Sequence, residues 1–134
     1  MTYCVGILLN EGLVLASDSR TNAGIDRVST FRKMHVLEKR GERFFALLTA
    51  GNLSLTQGVM SLLGEWLDSG DPEKDLWTVG SMFAAARAVG TAIREMHKFD
   101  GGYLQQHDVD FSASFILAGQ LPPNATRQLG RIES

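Results

Sequence analysis

The stretch Arg43-Phe-Phe-Ala-Leu-Leu-Thr-Ala-Gly-Asn-Leu-Ser-Leu-Thr-Gln-Gly-Val-Met-Ser-Leu-Leu-Gly-Glu-Trp66 changes its hydrophobic period in mid-course. Arg43–Leu48 is rich in aromatic and aliphatic residues and reads as a strand. Thr49-Ala50-Gly51-Asn52 interrupts it. From Leu55 onward, Val59, Leu62, Leu63 and Trp66 recur at helical spacing, with Asn52 or Ser54 placed to cap the first turn. Ser69-Gly70-Asp71-Pro72 then stops the helix. A buried strand therefore feeds a helix through one tight polar corner.

Upstream of this stretch the pattern is strands alone. Tyr3–Leu9 is an apolar run closed by Asn10-Glu11-Gly12, and Leu13–Ser17 answers it as the return arm of a hairpin. Thr21–Ile25 reads as a loop, and Val28–Met34 is ambiguous. His35–Glu38 pairs with Arg43–Leu48 across a turn at Lys39–Glu42, where Gly41 supplies the bend. Downstream, Thr78–His97 predicts a second helix with Val79, Met82, Ala86, Val89, Ile93 and Met96 on one face. Phe99–Asp108 is a polar loop, Asp110–Ala118 a fifth strand, and Gln120–Ser134, with Pro122-Pro123 and no periodicity, an irregular tail. Consecutive hairpins followed by paired helices predict a layered α+β domain rather than alternating βαβ units. The expected division is a domain over residues 1–119 and a tail over 120–134.

At 134 residues the chain is long enough for one domain with a core. A formal charge of −2 with scattered Lys and Arg argues against a nucleic-acid or anionic-membrane partner. The one cysteine, Cys4, lies in an apolar strand pattern; it excludes an internal disulfide and reads as a packing thiol in a reducing compartment. No apolar run is long enough to span a membrane, and the start lacks a secretory pattern, so the cytoplasm is the expected location. His107 with Asp108 and Asp110 lacks a fourth ligand, and no metal site is expected there.

The polar signals that carry chemistry are Thr2, Asp18, Lys33 and Gly51. Antiparallel pairing of the first hairpin brings the start of one strand beside the end of the next, which makes Thr2 and Asp18 neighbours. A threonine with a free α-amine holds a nucleophile and a base on one residue. A lysine nearby lowers the pKa of that amine, and a carboxylate holds the lysine charged and in place. Gly51, at the strand-to-helix corner, is positioned to turn its N–H toward a developing oxyanion, with the helix dipole adding to it. Singly, each has an ordinary role: Asp18 in a turn, Lys33 as a solvated charge, Gly51 as a bend. Their order and spacing give the site reading.

Met-Thr-Tyr-Cys-Val at Met1–Val5, Ala-Ser-Asp-Ser-Arg-Thr-Asn-Ala-Gly at Ala16–Gly24, Phe-Arg-Lys-Met-His at Phe31–His35 and Leu-Thr-Ala-Gly-Asn at Leu48–Asn52 together resemble the start of a bacterial proteasome-type subunit. The resemblance is strongest to the Anbu group, relatives of proteasome β-subunits and of the HslV peptidase, and runs from Thr2 to about Gly119. It implies the four-layer αββα sandwich of N-terminal nucleophile (Ntn) hydrolases. It also implies a threonine-type peptidase with Thr2 as nucleophile once Met1 is removed, Asp18 and Lys33 beside it, and the Gly51 amide as oxyanion donor. No metal or organic cofactor is implied. The implied partners are peptides or unfolded chains and further copies of the subunit in a ring or spiral. The sequence carries no signal for or against a regulatory ATPase. Family members are longer, and the expectation is a C-terminally incomplete version that leaves apolar sheet surface and an unpaired edge near Asp110–Ala118. A non-catalytic assembly subunit and an Ntn amidohydrolase for small amides are the alternative functions.

Overall fold

A computed structural model describes residues 2–22, 28–30, 32–101, 112–122 and 127–133. Its strands are β1 (Cys4–Leu8), β2 (Leu13–Ser17), β3 (Arg20–Asn22), β4 (Val28–Thr30), β5 (Met34–Lys39), β6 (Arg43–Gly51), β7 (Ala113–Gln120) and β8 (Gln128–Glu133). Two helices, α1 (Leu53–Trp66) and α2 (Met82–Met96), lie between β6 and β7, and a π-helical turn over His97–Gly101 follows α2. All pairings are antiparallel: β1 with β2, β3 with β4, and a four-stranded sheet in the order β5-β6-β7-β8.

Alternation along β6 and β7 decides the layering. Phe45 and Leu47, with Ala113, Phe115 and Leu117, point to one face, where they pack against Leu55, Val59, Leu63, Val89 and Ile93 of the helices. Phe45 and Phe115 are fully buried; each contributes on the order of 2 kcal/mol by leaving water. The opposite face carries Ala46, Leu48 and Ala118 and meets the β1–β2 hairpin. Gly6 makes this approach possible, because a Cβ there would sit 2.8 Å from Leu129 Cδ1 on β8. The described residues thus build three layers: helices, four-stranded sheet and hairpin. Beyond the hairpin, Val5, Ile7 and Val14 are exposed on its outer surface.

Both hairpins and both helices stand as the sequence predicts, with three differences. The tail is not irregular throughout: Gln128–Glu133 forms β8, paired with β7 along Ser114–Gly119. As a result β7 is an interior strand, and the expected free edge near Asp110–Ala118 falls instead on β8 and β5. The second helix begins at Met82 rather than Thr78, because Ser81 Oγ caps it by accepting the Ala84 N–H at 3.0 Å. The residues before it are held in turns by buried Asp75, whose carboxylate accepts the Gly70 and Trp77 N–H groups. Thr21 and Asn22, expected in a loop, belong to β3, and Val28–Thr30 pairs with it as β4. Most of the expected loop Phe99–Asp108, and the His107, Asp108 and Asp110 group, lie outside the described residues.

Candidate active site

Thr2 lies two residues before β1, Asp18 directly follows β2, and Lys33 directly precedes β5. Three strand ends therefore converge. Tyr3 and Asp18 close the open end of the first hairpin: the Asp18 N–H donates to Tyr3 O at 3.0 Å, and the Tyr3 N–H donates to Asp18 Oδ1 at 2.9 Å. The other carboxylate oxygen, Oδ2, accepts from Lys33 Nζ at 2.9 Å. Lys33 Nζ also donates to Thr2 Oγ1 at 3.1 Å. One ammonium thus bridges the hydroxyl and the carboxylate.

The Lys33 side chain is buried while Asp18 remains 32% exposed, so the pair is half-sheltered. The backbone of Lys33 is anchored as well, its carbonyl accepting the Thr49 N–H at 2.8 Å and the Thr49 hydroxyl at 3.4 Å. The Lys33 hydrogen bond, with the Tyr3 N–H second, holds the Asp18 carboxyl below the ordinary value of 3.8. A carboxyl with a depressed folded pKa adds stability that is present above its unfolded value and is lost as pH falls through the folded one. The expected acid limb thus lies below pH 3.8, and Asp18→Asn flattens it. Unfolding midpoints from pH 2 to 6 check this; parallel curves for the two proteins would refute it. Cys4 sits nearby, with Sγ 3.6 Å from Thr49 O, and burial, with Asp18 second, raises its thiol pKa, as suits a packing residue.

Gly51 ends β6 at φ +109°, in the left-handed half of backbone space. It pairs with Ala113, and the next residue, Asn52, donates its N–H to Ser112 O at 2.9 Å while its side chain caps α1 through the Leu55 N–H. Thr2 and Gly51 both line a cleft of about 600 Å³ at one end of the space between the two sheets. Ser112, Ser114 and Glu133 line it too. Glu133 was invisible in the sequence because β8 reads as tail, and only its pairing brings Glu133 alongside Ser114. Among the described residues no group of three His, Cys, Asp or Glu gathers to hold a metal ion, and no helix is long and apolar enough to cross a membrane.

The stacked antiparallel sheets, the helix pair on one face and the threonine at the mouth of the inter-sheet space make this a partial Ntn-hydrolase fold. The sequence matches no family model and no curated protein. Solved structures do match. An Anbu (Gly-1) mutant from Hyphomicrobium sp. strain MC1 shares 39% identity with a TM-score of 0.83, covering 100% of this chain and 56% of that one. Anbu from Yersinia bercovieri shares 38% at a TM-score of 0.83, again covering 100% and 56%. A helical assembly of the Anbu complex from Pseudomonas aeruginosa shares 34% at 0.81, covering 100% and 60%. In sequence and fold the chain is similar to these Anbu proteins, and it spans a little over half of their length.

Proposed function

We propose that the chain carries the nucleophile of a threonine-type peptidase subunit in a bacterial proteasome-like assembly. The observation that carries this reading is the bridge from Lys33 Nζ to Thr2 Oγ1 and Asp18 Oδ2. Cleavage of the Met1–Thr2 bond exposes the Thr2 amine. That amine, kept neutral by the Lys33 charge beside it, takes the hydroxyl proton through a water as Thr2 Oγ1 attacks the peptide carbonyl carbon. The C–N bond of the tetrahedral intermediate breaks, the proton passes to the departing amine, and an ester to Thr2 remains. Water, deprotonated by the same amine, attacks the ester and releases the acid, returning the proton to Oγ1. The Gly51 N–H would stabilise the oxyanion in both steps. Peptides or unfolded chains are the proposed substrates and the cytoplasm the proposed location. Further copies of the subunit are the proposed partners, supported by the helical assembly of the Pseudomonas aeruginosa relative.

The test combines intact mass with a panel of fluorogenic peptides and small amides. The expected result is protein lacking Met1 that cleaves peptides, with Thr2→Ala lowering turnover by about 10³-fold or more. Activity undiminished in Thr2→Ala, or Met1 fully retained in cell-purified protein, would overturn it. The exposed Val5, Ile7 and Val14 surface favours a second reading, a non-catalytic assembly subunit. That reading is upheld if neither protein cleaves any substrate.

A further inference from the structure

The cleft beside Thr2 has a regular floor. Ala50 of β6 pairs with Ser114 of β7, and Ser114 pairs with Glu133 of β8. The three form one rung across the sheet, facing the β1–β2 hairpin as do Leu48 and Ala118. Neighbouring strands lie about 4.8 Å apart, so Glu133 stands about 10 Å across the floor from β6. Between them the lining is small: Ala50, Ala113, Ser112 and Ser114. Among the described residues that line the cleft, those between Thr2 and Glu133 are glycine, alanine or serine. Glu133 is the one charged side chain among the described residues that line the cleft.

We propose that Glu133 makes this cleft a subsite for a long cationic side chain, arginine or lysine, of the peptide whose bond faces Thr2. The inference rests on the peptidase reading of the site and adds the substrate class. A shallow floor of Ala and Ser accommodates the aliphatic stem of such a side chain, and the carboxylate meets its charged head. Arg131, two residues earlier on the same face of β8, now pairs with Glu133. At 68% and 59% exposure the two groups are wet, and pairs of this kind hold weakly. An incoming cation can therefore take the place of Arg131. Lys33, the cation next to Thr2, is already engaged by Asp18.

The probes are two fluorescein-labelled, alanine-rich hexapeptide amides, identical except for a central arginine or its neutral isostere citrulline. Binding is read by anisotropy on the wild-type chain and on Glu133→Gln, Arg131→Ser and Thr2→Ala. The expected result is an arginine preference of about fivefold in the wild type, in line with a half-exposed charge pair. It should vanish in Glu133→Gln, grow in Arg131→Ser and persist in Thr2→Ala. Equal affinity of the two peptides, binding of neither, or a preference that survives Glu133→Gln would overturn it. Because binding needs no turnover, a failure of the nucleophile reading shows separately, as absent cleavage with the arginine preference intact.

Discussion

Lys33→Met should silence peptide cleavage while changing the stability of the fold only modestly. The two expectations have different physical origins. For chemistry, Lys33 Nζ is the positive charge within hydrogen-bonding reach of Thr2 Oγ1, at 3.1 Å, and it is held there by Asp18 at 2.9 Å. In the proposed mechanism its loss lets the Thr2 amine return toward an ordinary pKa and be mostly protonated at neutral pH. The same loss also takes away the donor that steadies Thr2 Oγ1 as the hydroxyl gives up its proton. A loss of about 10²- to 10³-fold in turnover or more is expected from removing one such group. For stability, losing the pair with Asp18 is set against the removed cost of burying a charge, since a methionine of similar length fills the same space. Asp18 stays partly exposed and can be solvated when its partner is gone. Peptide turnover and the urea midpoint, measured on one preparation, check both halves. Retained activity would remove Lys33 from the mechanism, and a large fall in midpoint would show the pair to be structural.

Gly51→Ala should damage stability and site together. At φ +109° an L-residue is strained, at a cost of about 1–2 kcal/mol. The added Cβ would also lie 2.5 Å from Ser112 O and 2.8 Å from Ala113 Cα, both backbone atoms that cannot swing aside. Shifting β7 to relieve this costs about 1–3 kcal/mol more. It would also stretch the Asn52 N–H···O bond to Ser112 and loosen the cap of α1. A total of about 2–5 kcal/mol is a large part of what a small domain has. The expected outcome is a clearly lowered denaturation midpoint and no measurable turnover. An unchanged midpoint would mean that the corner does not need glycine.

The change of period at Gly51 made the β6-to-α1 corner legible, because a buried strand and an amphipathic helix leave different spacings. Thr2, Asp18 and Lys33 were legible through hairpin geometry and through the resemblance, and the structure brings the three side chains within bonding distance. β8 was not legible. In Gln128–Glu133, Leu129 faces the hairpin and Ile132 the helices, so its two apolar residues do not alternate with polar ones. The preceding prolines also read as a break rather than a turn between strands. The start of α2 was misplaced for a related reason: Val79 is buried from a turn held by Asp75, and its spacing to Met82 and Ala86 continues the helical face. Glu133 could not be seen as part of the site until β8 was paired.

The bonds from Thr49 to the Lys33 carbonyl have a bearing on motion. They fasten the residue that carries the ammonium to β6, the longest strand, whose neighbours on both sides are hydrogen-bonded along their length. Segments held this way open only in large cooperative units, whereas strand ends and loops fray on their own. The Lys33 backbone therefore does not shift by the loosening of a turn; displacing it requires these bonds to the central sheet to break. In the proposed peptidase, movement that admits a peptide would then arise on the other walls of the cleft, with the Lys33 backbone as their fixed point.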